Sequence, residues 1–182
     1  MPRLFFAVEL PPAVKESVLD LRQYVQAKPH AVKWVAQKNL HLTLLFIGEV
    51  QEDKLPQLLD SANRAAKRCR PFDLAIQGTG VFPGPARPRI LWAGVAAGAL
   101  QLTILADELS AVLGIAQDKA YTPHLTLGRI REGHRIDTSV FLRRGASFRA
   151  DTIQIDSFCC LESTLTPQGP VYKPLRKFSL QD

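Results

Sequence analysis

The tetrapeptide His-Leu-Thr-Leu occurs twice, at residues 41–44 and 124–127, with the two histidines 83 positions apart. In a strand, residues two apart share a face. His41 and Thr43 therefore point one way, and Leu42 and Leu44 the other. The same holds for His124 and Thr126 against Leu125 and Leu127. Each copy presents an imidazole and a hydroxyl on one surface and anchors them with two leucines in the core. The chain has only 4 histidines, and each has roughly a one-in-twenty chance of a threonine two places on. A single short motif is weak evidence and one copy reads as an ordinary half-buried strand, but two identical copies are hard to assign to chance.

The segments around these copies predict an α+β chain of about eight strands and three or four helices. Leu4–Leu10 reads as a buried strand, and Pro11-Pro12 open a helix whose apolar residues Val14, Val18, Leu21 and Val25 carry it to Gln26. Short extended Lys33–Val35 precedes a strand over Asn39–Ile47. A helix over Gln51–Arg68 has acidic residues near its start and basic ones at its end, as the helix dipole prefers. Strands are predicted over Phe72–Phe82 and Arg89–Val95, then a helix over Leu100–Leu113 stopped by Gly114. His124–Ile130 is a strand. Thr138–Arg144 is a short helix behind an Asp137 cap, and Phe148–Leu161 and Val171–Phe178 are the last strands. Each half holds a helix and one motif strand, a hint of internal duplication within one unit spanning residues 1–182.

Composition narrows the surroundings of the chemistry. Of 182 residues, 46% are hydrophobic and 22% charged, the balance of an ordinary soluble domain. The opening apolar run Leu4–Val8 stops at Glu9 and two prolines, too short for a signal peptide or a membrane span. Three cysteines, two of them adjacent at Cys159 and Cys160, do not make a disulfide framework; they suit a reduced, cytoplasmic setting. The net charge is +6, and Arg129–Arg149 alone holds six arginines against Glu132 and Asp137. That excess favours a polyanionic partner without naming it.

Paired histidines suggest a reaction. Opening a phosphodiester takes a base for the attacking oxygen and an acid for the leaving one, and imidazole serves both roles near neutral pH. Threonine hydroxyls beside them can donate to the non-bridging phosphate oxygens. No carboxylates stand at a spacing used for magnesium, and no His/Cys cluster looks like a zinc site. No metal and no cofactor are therefore expected. A metal-free reaction favours substrates with a neighbouring ribose hydroxyl, the strained 2′,3′-cyclic phosphate above all.

On these residues the chain resembles the two-histidine phosphoesterase superfamily, with its pair of His-x-Thr-x motifs, and more closely the RNA 2′,3′-cyclic phosphodiesterases, formerly 2′-5′ RNA ligases. Similarity extends to Arg3–Pro11, Asn39–Val50, Pro88–Trp92, Thr122–Arg129 and Leu165–Tyr172. The resemblance implies two lobes, each with an antiparallel sheet and outer helices, around a central cleft. It implies His41 as proton donor, His124 as proton acceptor activating water, Thr43 and Thr126 as phosphate ligands, and a 2′-phosphate product. One departure falls at Leu45, where relatives often carry a basic residue. Parity places that position on the face of His41 and Thr43.

Other candidates are less constrained. Arg89 and Arg129 are possible RNA contacts, although parity turns Arg129 away from His124 unless the strand has ended. Phe5, Phe6, Trp34 and Tyr121 serve either as core or as stacking platforms for bases, with Phe5 and Tyr121 kept as possible RNA contacts. His30 and His134 lack a threonine partner and read as surface residues. The expected partner is RNA with a 2′,3′-cyclic phosphate end, with no membrane, no protein partner and a monomeric state. Two alternatives stay open: the same chemistry on small cyclic nucleotides or 2′-5′ linkages with reversible RNA ligation, and a non-catalytic RNA-binding module.

Overall fold

The computed structural model describes residues 1–117 and 119–181. Strand β1 (Arg3–Glu9) is the expected apolar opening run, with its five central residues buried. Helix α1 (Pro12–Leu19) begins with proline in its first turn. It does not continue to Gln26. The chain tightens into a 3₁₀ turn over Asp20–Tyr24, which still buries Leu21. Strands β2 (Val32–Trp34) and β3 (His41–Glu49) follow. Helix α2 (Leu55–Ala66) starts later than its charge pattern suggests, after a 3₁₀ turn over Glu52–Lys54. Pro56 accounts for this: it lacks an N–H and is accommodated in the first turn rather than the interior.

The expected strand over Phe72–Phe82 is two strands, β4 (Phe72–Leu74) and β5 (Ile76–Phe82). Ala75 between them exchanges backbone hydrogen bonds with the chain beyond β6 (Ile90–Val95): its N–H donates to Ala97 at 3.1 Å, and its carbonyl accepts from Ala96 at 2.9 Å. Helix α3 (Ala99–Leu113) ends at Gly114, whose φ is 65°. Strand β7 (His124–Ile130) has the expected bounds. Helix α4 (Ser139–Gly145) begins where the Asp137 carboxylate accepts from the Ser139 N–H at 2.8 Å. The expected strand over Phe148–Leu161 also divides, into β8 (Ile153–Ile155) and β9 (Ser157–Thr166). β8 pairs with β4 in a small separate sheet. A tight turn joins β9 to β10 (Gly169–Ser179).

The main sheet is antiparallel throughout, ordered β10-β9-β1-β3-β7-β6-β5, with β2 also pairing β7. Among the described residues, the ladder between its two halves holds a single pair, Leu42 with Leu125. One half is β10-β9-β1-β3 and the other is β5-β6-β7 with β2, so each half carries its own ladder and its own motif strand. The fold is the expected α+β arrangement of two antiparallel halves with helices outside. The helices cover one face. Val14 and Val18 of α1, Ala62 and Ala65 of α2, and Leu102, Leu105 and Leu109 of α3 join the four motif leucines in one buried cluster. Burying a leucine side chain contributes about 1.5–3 kcal/mol, so Leu42, Leu44, Leu125 and Leu127 together hold the site strands firmly against the helices. Cys69, Cys159 and Cys160 are all free and buried. Cys160 faces the main cluster, whereas Cys159 lies with Phe5, Ala7 and Leu161 on the other face, as strand alternation requires. No helix among the described residues is long and apolar enough to cross a membrane.

Candidate active site

The motif leucines settle what the opposite face displays. Leu42 and Leu125 are fully buried and directly paired. His41 and Thr43 flank this pair on β3, and His124 and Thr126 flank it on β7, all four facing away from the leucines. The two histidines thus fall on the same face as each other, one on each side of the Leu42–Leu125 pair. A near two-fold axis through the Leu42–Leu125 pair exchanges the two His/Thr faces. All four polar side chains are half-buried.

Both imidazoles are held in the same way. Nδ1 of His41 donates to the Asn39 carbonyl at 2.6 Å, and Nδ1 of His124 donates to the Thr122 carbonyl at 2.7 Å. A carbonyl only accepts, so Nδ1 carries the proton and each neutral ring presents an Nε2 lone pair to the cleft. On His41 that lone pair accepts from the Thr43 hydroxyl at 3.0 Å. Burial pushes the His41 pKa down to about 4; the Asn39 carbonyl favours the charged form, and the Lys15 ammonium adds to the depression. Burial also lowers the His124 pKa, with the Thr122 carbonyl opposing and the Arg129 guanidinium assisting.

Each imidazole sits in an aromatic cradle that alternation did not reveal. The His41 ring lies 5.0 Å from Phe5 and 5.3 Å, edge-on, from Tyr172. The His124 ring lies 5.0 Å, edge-on, from Phe82 and 6.2 Å from Trp92. Trp92 fits because residue 80 is glycine: a Cβ there would come within 2.0 Å of the indole. Tyr172 arrives from β10, whose start is tied to the first motif by a hydrogen bond from the Asn39 amide to the Pro170 carbonyl at 2.8 Å. A pocket of about 110 Å³ opens beside His41 between Glu9, Lys38, Leu161 and Tyr172.

Simple parity fails one turn beyond each motif. In the pairing of β1 with β3, Phe6 faces Leu45 and Ala7 faces Thr43, so Leu44 is an extra residue. This is a β-bulge, which turns the following side chains to the other face. Leu45 therefore lies in the core, 5% exposed, rather than beside His41 and Thr43. Phe46 takes the cleft face instead, 69% exposed, with its ring 5.9 Å from Phe5. The same irregularity recurs in the second copy. Leu91 faces Gly128 and Trp92 faces Thr126, which leaves Leu127 as the extra residue. Arg129, exposed and opposite in facing to the buried Ile130, thereby comes onto the face of His124. Its charge is felt by both the His124 and Tyr172 rings. A signal was available in the sequence: Leu44-Leu45 and Leu127-Gly128 both interrupt the alternation at the same distance from their histidines.

The remaining candidates separate. Phe5 is 3% exposed beneath His41 and has no open face for a base. Tyr121 packs against the core and uses its hydroxyl on the Thr43 carbonyl at 2.8 Å, bracing one half against the other. Its pKa is raised by burial. Phe6 is fully buried. Trp34 packs on the core under the Arg22 guanidinium, 5.1 Å from its ring centre. Arg89 precedes β6, half-buried; its N–H donates to the Phe82 carbonyl and its carbonyl accepts from the Ile130 N–H. His30 is exposed in a turn, and His134 lies beyond β7; neither joins the motif face. Among the described residues, no three His, Cys, Asp or Glu side chains gather as a metal-ligand set.

An α+β chain in two antiparallel halves, each offering one His-x-Thr-x face to a shared cleft, defines a class of phosphoesterase-like folds. A family model for LigT-like phosphoesterases matches residues 8–92 and 94–172, and the chain belongs to that family. It is 35% identical over 179 residues to the RNA 2′,3′-cyclic phosphodiesterase of Archaeoglobus fulgidus, covering 97% of this chain and 99% of that one. It is likewise 35% identical over 190 residues to the protein of the same name from Thermus thermophilus, covering 98% and 90%. Among solved structures, the Thermus thermophilus protein TT0787 superposes with a TM-score of 0.79 at 32% identity, covering 98% of this chain and 97% of that chain. The E. coli LigT in apo form gives 0.76 at 26%, covering 100% and 98%.

Proposed function

We propose that the protein hydrolyses 2′,3′-cyclic phosphodiester ends of RNA to 2′-phosphomonoesters, with His41 and His124 as the acid–base pair. The observation that carries this is the matched tautomer lock. Both Nδ1 atoms are committed to backbone carbonyls, so each neutral ring turns an acceptor Nε2 away from the backbone; that of His41 already accepts from the Thr43 hydroxyl, and Thr126 lies two residues from His124 on the same strand face. The relatives' shared name, RNA 2′,3′-cyclic phosphodiesterase, supplies the substrate class. Residues 1–182 act as one catalytic unit, because each half contributes one imidazole.

In this reading His124 removes a proton from water, which attacks phosphorus in line. The bond from phosphorus to O3′ breaks, His41 protonates O3′, and the phosphate stays on O2′. The Thr43 and Thr126 hydroxyls donate to the non-bridging oxygens as charge builds. The assignment of donor and acceptor follows the family resemblance. Burial makes the His41 imidazole hard to protonate, with its pKa pushed down to about 4. An anionic phosphodiester against it reverses that bias, since a nearby negative charge raises an imidazole pKa. His41 thus takes up its proton together with the substrate, and the Thr43 hydroxyl is released to the phosphate. The proton on O3′ is the one that His41 takes up on binding, the water's proton passes to His124, and neither transfer calls for a metal.

The test is incubation with an oligonucleotide ending in a 2′,3′-cyclic phosphate, followed by location of the phosphate in the product. His41→Ala and His124→Ala should each reduce turnover by ~10²–10⁴-fold, with EDTA without effect. Near-wild-type turnover in either variant defeats the two-histidine mechanism, and a strict magnesium requirement defeats its metal-free character. Tight RNA binding with no product would instead make the chain a binding module.

A further inference from the structure

Beside the His/Thr quartet, the second half sets two positive charges directly opposite each other. In the pairing of β2 with β7, Val32 faces Ile130, Lys33 faces Arg129 and Trp34 faces Gly128. Val32 and Ile130 are buried in the main cluster. Lys33 and Arg129, one residue along, are therefore on the opposite face, and both are exposed. The bulge at Leu127 makes that face the one carrying Thr126 and His124. Directly opposed side chains in an antiparallel pair have Cβ atoms about 4.5–5.5 Å apart, and like charges at that spacing are destabilising. No carboxylate offsets them: the ion pairs among the described residues are Arg68–Glu108 and Arg176–Asp60, on other elements. A cross-strand repulsion held open at the rim of a phosphate-binding face calls for an anion between the two groups.

We propose that Lys33 and Arg129 clamp the internal phosphodiester immediately 5′ of the terminal nucleotide, so that the enzyme favours RNA ends over free cyclic mononucleotides. This rests on the reading of the His/Thr quartet as the seat of the cyclic phosphate. Arg129 lies three residues beyond Thr126 on β7, roughly 7–10 Å along the strand. That is the scale of one nucleotide step along a single strand. Arg129 is also a positive charge near enough to His124 and Tyr172 to act on both rings. Lysine and arginine on neighbouring strands grip a phosphate from two sides without reading the base, so the clamp sets chain requirement and not sequence preference.

The experiment compares kcat/KM for a dinucleotide ending in a 2′,3′-cyclic phosphate with that for a 2′,3′-cyclic mononucleotide. The comparison is made in wild type, in Lys33→Gln and in Lys67→Gln, a charge-matched change on the exposed end of α2. The expected result is a dinucleotide-to-mononucleotide ratio about tenfold lower in Lys33→Gln, through KM, and unchanged in Lys67→Gln. The dependence of log KM on log salt should also flatten by about 0.7 for the lost contact. Melting of Lys33→Gln should be no lower than wild type, because the change relieves a repulsion. An unchanged ratio overturns the clamp, as does an equal loss on both substrates. Should wild type cleave neither substrate, the functional reading fails separately. The clamp is then judged by calorimetric affinity for a dinucleotide bearing a terminal 2′-phosphate, where equal binding by wild type and Lys33→Gln overturns it.

Discussion

Tyr121, on the approach to the second motif, donates its hydroxyl to the backbone carbonyl of Thr43, inside the first motif, at 2.8 Å. The bond ties the two halves together one residue from the Leu42–Leu125 pair at which their strands are laddered. Removing the hydroxyl in Tyr121→Phe leaves a half-buried carbonyl without its partner. The expected cost is about 1 kcal/mol, which lowers Tm by roughly 2–4 °C for a chain of this size. Scanning calorimetry checks it. An unchanged Tm would show that the brace contributes nothing.

Asn39 serves two elements at once. Its carbonyl accepts from His41 Nδ1, and its amide donates to Pro170 at the start of β10, which brings Tyr172 against the His41 ring. Asn39→Ala keeps the first bond and deletes the second. Amides of the β9–β10 hairpin should then exchange with solvent about fivefold faster, the equivalent of about 1 kcal/mol. Hydrogen exchange reads this directly, and unchanged protection would remove Asn39 as the hairpin's tether.

The depressed histidines make stability depend on pH in a defined window. Above pH 6.5 both the folded and the unfolded forms of His41 are neutral, and its contribution is fully present. As pH falls from about 6.5 through about 4 the unfolded chain gains a proton that the folded chain refuses, and stability is lost. The loss levels off below about 4. At about 1.4 kcal/mol per unit, His41 accounts for on the order of 3 kcal/mol. In melts at pH 7 and pH 4.5, His41→Gln should lose distinctly less Tm than wild type. Inorganic phosphate should stabilise wild type more at pH 6 than at pH 8, because the bound anion favours the charged imidazoles. Parallel pH curves for wild type and His41→Gln would contradict the buried neutral imidazole.

Gly128 sits where the second bulge presses β7 against β2. A Cβ there would stand 2.8 Å from Trp34 Cε3 and Val32 Cγ1. Gly128→Ala should cost about 1–3 kcal/mol by overpacking and displace Arg129 from the cleft face. Denaturant unfolding and the affinity for inorganic phosphate measure the two effects. Wild-type values in both would mean that the strand accommodates a side chain without moving.

What the amino-acid sequence determined by itself was local. Two His-Leu-Thr-Leu copies, read with the two-residue period of a strand, identify His41, Thr43, His124 and Thr126 as one kind of surface and their leucines as anchors. That inference holds because alternation needs no knowledge of partner strands. Tertiary structure decided the rest. The bulges at Leu44 and Leu127 exist only relative to β1 and β6, and they send Leu45 inward and bring Phe46 and Arg129 outward. The meeting of the two motif strands depends on Leu42 pairing with Leu125, a register between segments distant in the chain. The cradles of Phe5 with Tyr172 and of Phe82 with Trp92 are assembled from four different strands. Register and bulge position are set by which strands pair and how their buried faces match, a long-range competition that a local period does not encode.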